Sequence, residues 1–205
     1  FASATADSVD IQLNNTGINY AASNLTVTVG SISATLDIAD ETQLVKVTNL
    51  EFEMVDYGLT VGGTFAFQRF GTNEIHAVAT GASATLVSGD FLVGVSAASL
   101  ALVVHSNLKT ALRASGTFVF EGGDFANATA GAVHVVYNDS GIDYSGVSLD
   151  VGGSIALLDA EVDALRLAVT DLAAEITGFA HFGGDFGFTP NGDDIDVVAE
   201  NAYAR

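Results

Sequence analysis

Val9-Asp10-Ile11-Gln12-Leu13-Asn14-Asn15-Thr16-Gly17-Ile18-Asn19-Tyr20 returns without a gap as Val133-His134-Val135-Val136-Tyr137-Asn138-Asp139-Ser140-Gly141-Ile142-Asp143-Tyr144. The likeness begins earlier, with Ala4-Thr5-Ala6 against Ala128-Thr129-Ala130, at an offset of 124. Gly30-Ser31-Ile32 then matches Gly153-Ser154-Ile155 at 123, and Val47-Thr48-Asn49-Leu50 matches Val169-Thr170-Asp171-Leu172 at 122. Gly62-Gly63-Thr64-Phe65-Ala66-Phe67 matches Gly183-Gly184-Asp185-Phe186-Gly187-Phe188 at 121. An offset that drifts by single residues is what shortened turns between fixed elements produce, and self-similarity of this kind marks a repeat architecture.

A shorter copy lies between the two. It starts at Ala79-Thr80-Gly81 and ends at Gly116-Thr117-Phe118-Val119-Phe120, with Val95 to Leu100 standing where Val47 to Leu50 stand in the first copy. It lacks about one hairpin. Ile195-Asp196-Val197-Val198-Ala199 resembles Ile75-His76-Ala77-Val78-Ala79, as if another copy were starting. The division read from this is 1–70, 71–123, 124–192 and 193–205. The opening at Phe1 without Met gives the expectation of a processed N-terminus or a segment of a longer chain.

Each copy alternates with period two, the pattern of half-buried strands. Leu25, Val27 and Val29 alternate with Thr26 and Thr28; Phe65 and Phe67 flank Ala66. Asn15-Thr16-Gly17, Gly62-Gly63, Ser88-Gly89-Asp90, Gly122-Gly123-Asp124, Asp139-Ser140-Gly141 and Pro190-Asn191-Gly192 are expected as turns. One segment pulls the other way. Leu158, Val162, Leu165, Val169, Leu172 and Ile176 recur at helical spacing among Ala, Glu and Arg. Its repeat partner, Val45 to Val55, reads as strand, so strand is expected here too. The fold class that follows is all-β: an elongated antiparallel repeat array of roughly a dozen strands, arranged as sandwich, flattened barrel or solenoid, whose copies share a core.

Composition narrows the function classes. Hydrophobic residues make up 49% of the 205, too many for a disordered tail. No apolar run is long enough for a membrane-spanning helix. Asp and Glu number 25 against 6 Lys and Arg, a net charge of −19, so nucleic acid is not an expected partner. The absence of Cys removes disulfides and thiolate chemistry, and points to a bacterial or archaeal surface rather than a small animal secreted domain.

Catalytic parts are hard to find. His76 and His134 sit where other copies carry Asp196 and Asp10, and all four His, with His105 and His181, are expected on exposed strand faces. Gly183-Gly184-Asp185-Phe186-Gly187 lacks a dinucleotide-loop setting and reads as a turn. The chain is therefore expected not to be an enzyme. The candidate metal ligands are Asp139 and Asp143 in one turn, and Asp193, Asp194 and Asp196 in another, where side-chain oxygens around a Gly suit Ca²⁺. The first copy has uncharged Asn15 and Asn19 in the corresponding places. Asn14, Asn24, Asn127 and Asn138 lie in Asn-x-Ser/Thr sequons, read as composition with glycosylation open at a surface.

The block-ending Gly-Thr-Phe-Ala-Phe and Gly-Thr-Phe-Val-Phe, each followed by an Ala-Thr strand start, resemble repeat regions of giant bacterial cell-surface proteins, adhesin-like and associated with calcium-binding toxin-type repeats. The resemblance implies secretion, a β stalk, and neighbouring repeats or other copies of the chain as partners. The expected function is a non-enzymatic structural module; the alternative is a carbohydrate- or lipid-binding β module. An outer-membrane barrel is a third, weakened by absent Trp and five Tyr.

Overall fold

The structure, a computed structural model, describes every residue except 1, 22, 24, 72, 192 and 193, and only the backbone of 57, 190 and 191. Asp193 and Asn24 therefore lie outside the described residues. The strands are β1 (Ala2–Thr5), β2 (Ser8–Leu13), β3 (Leu25–Val29), β4 (Ile32–Leu36), β5 (Gln43–Met54), β6 (Leu59–Phe70), β7 (Glu74–Ser88), β8 (Phe91–His105), β9 (Thr110–Gly122), β10 (Ala126–Asn138), β11 (Ser148–Val151), β12 (Ser154–Leu157), β13 (Leu165–Ile176), β14 (Ala180–Asn191) and β15 (Asp194–Ala204). A single helical turn, Val55–Tyr57, is the only helix among the described residues.

Eleven strands make one antiparallel sheet in the order β1/β2, β5, β6, β7, β8, β9, β10, β13, β14, β15, with β1 and β2 sharing β5 as neighbour. The sheet is open, with β1/β2 at one edge and β15 at the other, so the flattened-barrel option falls. The hairpins β3–β4 and β11–β12 stand outside it.

The order sorts the long strands into triplets: a leading strand (β1/β2, β7, β10, β15), a middle strand (β5, β8, β13) and a trailing strand (β6, β9, β14). Every pairing is antiparallel, so three strands on, the direction is reversed. The shorter copy therefore runs upside down relative to its neighbours. Only after six strands does the chain return to the same direction. That is the physical origin of the 121–124 residue offset: the unit that repeats by simple advance is six strands with one hairpin.

At mid-height each leading and middle strand carries one extra residue and each trailing strand none. Register slips at Val47/Leu50, Gly62/Thr64, Ser96/Ser99, Ala130/Val133, Val169/Leu172 and Gly183/Asp185. The extra residues in the middle strands, Asn49, Ala97 and Asp171, share a left-handed φ of 49–51°. Such bulges locally bend and twist a strand, and here they form a row across the sheet.

The row explains two misleading sequence signals. In β13 the residues on the shared apolar face are Leu165, Leu167 and Val169, then, after the bulge, Leu172, Ala174 and Ile176. The step of three across the bulge, among steps of two, imitates a helical stripe; residues 165–176 are strand, and 158–164 are loop and turn. Gly62-Gly63 and Gly183-Gly184 are not turns but mid-strand. A Cβ on Gly63 would lie 2.7 Å from Ala82 Cα, and one on Gly184 2.7 Å from Ala202 Cα. Glycine lets the trailing strand pass the neighbouring bulge. The next residue holds it: Thr64 Oγ1 accepts the Asn49 N–H at 3.2 Å, and Asp185 Oδ1 accepts the Asp171 N–H at 2.7 Å.

Because the bulges switch parity, apolar residues stay on one face along the full strand length. Phe65, Phe67, Leu100, Leu102, Val133, Leu167, Phe186 and Val197 line it below the bulges, and Phe52, Leu86, Val95, Phe118, Leu172 and Phe182 above. On the opposite face the upper half is polar, and the lower half presents small apolar residues to the β11–β12 hairpin. The buried core sits there: Leu44, Ala66, Val78, Ala101, Val103, Ala111 and Val136 from the sheet against Leu149, Val151, Ala156, Leu158 and Ala160 from the β11–β12 segment.

Candidate functional site

The two hairpins grow from identical roots. Asn138 follows the β10 register and is 1% exposed. Its Nδ2 donates to the carbonyls of Ile142, Ala160 and Glu161 at 2.8–3.0 Å, and its Oδ1 accepts from Ser140 N–H and Oγ–H. Asn14 does the same to Ile18, Ile38 and Ala39, with Thr16 in place of Ser140. The Asn-x-Ser/Thr pattern at these two positions is thus a loop-closing knot with its amide spent inside the protein, not a glycan acceptor. Tyr144 N–H donates to Ala160 O as Tyr20 N–H does to Ile38 O.

From the same root the outcomes diverge. β11–β12 folds back over β6, β7 and β8, with its tip at β5. Val151 and Leu158 are fully buried. Lys46 Nζ donates to Gly152 O at the tip at 2.8 Å, and Arg113 binds Asp159 at 2.7 Å at the base. Asp159 also accepts the Gly146 N–H; that bond, and then the Arg113 guanidinium, hold its carboxyl below the usual range. The hairpin registers set Val29-Gly30-Ser31-Ile32 on Val151-Gly152-Gly153-Ser154, one residue away from the match read in the sequence. By that equivalence the buried positions correspond to Val27, Val29, Ile32, Ala34 and Leu36. Yet Val29 and Ile32 are each 75% exposed. The opposite face of β3–β4 is all hydroxyl, with Thr26–Thr35 and Thr28–Ser33 pairs at 3.2 and 2.8 Å.

Three of the four histidines depart from the expected exposed placement, His76, His105 and His134 being half-buried, while His181 is exposed as expected. Glu74 bridges His76 at 3.1 Å and His105 at 3.4 Å, and the other nitrogen of His105 meets Tyr144 OH at 3.1 Å. Burial first, and then the Glu74 charge, push the Tyr144 phenol above its ordinary value. This polar cluster ties the seated hairpin's root to β7 and β8. Repeat comparison hid it, because the first copy has no partner at the matching place: Tyr20 stands at a root with no seat. His134 Nδ1 is buried without a partner, and His181 lies 3.7 Å from Glu175.

The candidate Ca²⁺ ligands do not come together. Asp139 accepts the Thr110 N–H at 2.6 Å, which with the Tyr137 hydroxyl lowers its pKa. Asp143 is lowered by the Ser145 hydroxyl and N–H it accepts. Asp194 and Asp196 lie on exposed β15, three strands along the sheet from β10, which ends at the first pair's turn, and Asp193 is outside the described residues. Beside Asp139 a cavity of about 470 Å³ holds Glu161 and Asp163, but Arg166 already reaches Glu161 at 3.3 Å. Among the described residues no three His, Asp or Glu side chains converge as a metal would need, and no helix is long and apolar enough to cross a membrane.

Taken together, these elements define an open antiparallel sheet whose six-strand unit carries a hairpin over the strands that precede it. No family model, curated protein or solved structure matches the chain.

Proposed function

We infer that the chain is a non-enzymatic structural segment of a β-sheet array, extended by adding six-strand units, as in the stalk or filament part of a large extracellular or cell-surface protein. One observation carries this: the β11–β12 hairpin does not cover its own triplet but the strands before it, so each unit is completed by its neighbour. A nearest-neighbour design of that kind lets length grow without a new core. The net charge of −19 keeps such a rod soluble and resists sideways association. Acidic side chains on the edges, Asp7 and Asp10 at one and Asp194, Asp196 and Glu200 at the other, oppose indiscriminate strand addition. The experiment is a lengthened chain, residues 1–125 followed by 2–205, which uses the native Gly123–Phe125 turn as the join. Its melting temperature should exceed that of the chain itself, in a single transition. Equal melting, or two independent transitions, would refute the array.

A second reading is favoured by the opposite face. A cavity of about 550 Å³ there has only apolar walls, Phe118, Val133, Val169, Leu172, Phe182 and Phe186 among them, and spans the bulge row. Its size falls in the range of small-molecule sites, and a lining without hydrogen-bonding side chains suits an alkyl chain rather than a sugar. Saturable displacement of a fluorescent fatty acid, weakened by Phe186→Ser, would support lipid binding; non-saturable uptake would remove it.

A further inference from the structure

We propose that the bare apolar face of the β3–β4 hairpin is a docking site for another antiparallel sheet of this same six-strand type, which it covers as β11–β12 covers β6–β8. The proposal rests on the array reading and adds its occupant.

The seated hairpin supplies the argument, because it shows in this same molecule what such a face is for. Both hairpins leave a leading strand through the same Asn knot, and both turn at Gly. β11–β12 leaves β10 and lies on the side away from β13. The same path from β2 carries β3–β4 to the side away from β5, beyond the sheet edge. There Leu25, Val27, Val29 and Ile32 are exposed on one face. A surface hairpin with no partner would be expected to carry polar residues on both faces; this one segregates them, hydroxyls on one face and aliphatics on the other.

The matching surface can be specified. Under β11–β12, Ala66, Val78 and Ala101 are consecutive cross-strand neighbours, small enough to let the hairpin lie flat. A lysine, Lys46, holds the tip carbonyl and an arginine, Arg113, holds the basal aspartate. The corresponding groups on β3–β4 are the Gly30 carbonyl and Asp37. The partner is therefore a sheet with a row of Ala or Val across a trailing, a leading and a middle strand, with one basic side chain at each end of that row. Ile32, standing where the seated hairpin has Ser154, makes the bare face more apolar than the seated one. The edge at β1/β2 offers its unpaired ladder to the trailing strand of the same partner.

The chain has no Trp, so Val29→Trp gives a single emission reporter. In the chain as it stands, the indole introduced by Val29→Trp should emit at long wavelength and be fully quenched by acrylamide at every protein concentration. In the lengthened chain the reporter is placed in the second copy, where the preceding unit supplies the seat. Emission should then move to shorter wavelength and acrylamide quenching should fall to a minority of its former value. Adding Ile32→Asp to that copy should restore quenching, whereas Thr28→Asp, on the hydroxyl face, should not. A reporter equally quenched in a lengthened chain that melts higher would overturn the docking and leave the array standing. A lengthened chain that melts no higher would overturn both. A concentration-dependent blue shift in the chain alone would overturn the proposal by giving the face to hairpin self-pairing.

Discussion

The β3–β4 and β11–β12 hairpins differ in what lies beneath them more than in what they are. Each has an apolar face, a Gly turn and an Asn-knotted root, yet Val151 is fully buried while its counterpart Val29 is 75% exposed. Hairpin formation is thus a local property of the sequence, whereas hairpin burial is a property of strands far upstream. An isolated two-stranded hairpin is marginal in water, so most of the stability of β11–β12 must come from its seat. The sharpest way to break the comparison is to truncate the same position in both. Leu158→Ala, in a site with no exposure, should cost about 3 kcal/mol in urea unfolding. Leu36→Ala, its counterpart, should cost under about 1 kcal/mol. Equal costs would mean that β3–β4 is supported by something other than its own pairing.

The knots sharpen the same contrast. Asn138→Ala strips the amide partner from three carbonyls at the base of a seated hairpin and should destabilise the chain by about 2–3 kcal/mol. Asn14→Ala breaks an equal set of bonds. Its root can open without disturbing the large sheet, so the global loss should be about 1 kcal/mol, with fast hydrogen exchange confined to residues 14–42. A global loss as large as that of Asn138→Ala would show that the bare hairpin is coupled to the sheet after all.

Much of this was legible beforehand, and the remainder was hidden for definable reasons. The absence of a hairpin between β7 and β8 and the strand character of 165–176 follow from pattern, because alternation and repetition are local. The reversed direction of the middle triplet was not visible: sequence similarity carries no sign for strand direction. Bulges deceived twice, through the Val169-to-Leu172 step and through Gly62-Gly63, since a glycine required by close approach looks like a glycine required by a turn. Asn14 and Asn138 passed for sequons because a knot and a glycan acceptor use the same letters. The Glu74–His105–Tyr144 contact joins residues from different units, which repeat comparison averages away.

The polar ends of the seat should matter less than its apolar floor. Arg113→Met removes a part-exposed ion pair with Asp159 and should cost about 0.5–1 kcal/mol, reduced further at high salt. Lys46→Met, which loses one bond to a carbonyl at the tip, should cost about 0.5 kcal/mol. Neither change should alter hydrogen exchange in β3–β4, whose tip and base these two side chains do not touch. Salt-independence of the Arg113 effect would point to lost packing of its stem rather than lost charge.

The smallest expected effect is on pH, and its sign follows from geometry. Asp159 accepts the Gly146 N–H and faces Arg113, and both interactions favour the carboxylate, so its folded pKa lies below its unfolded one. A depressed carboxylate contributes stability that is complete above the unfolded value, near pH ~4, and is lost as pH falls through the folded value. Asp139 is held low by Thr110 at the root of the same hairpin and acts in the same window and direction. Acid should therefore loosen β11–β12, and exchange rates in 144–160 should rise below about pH 4 before the long strands respond. Asp159→Asn keeps the size and an acceptor oxygen for Gly146 but removes the titration; its urea midpoint should be lower at about pH 7 and nearly equal to the parent's at about pH 3. A midpoint difference that persists unchanged in acid would mean that Asp159 holds the hairpin by shape and neutral hydrogen bonding, with its charge contributing nothing.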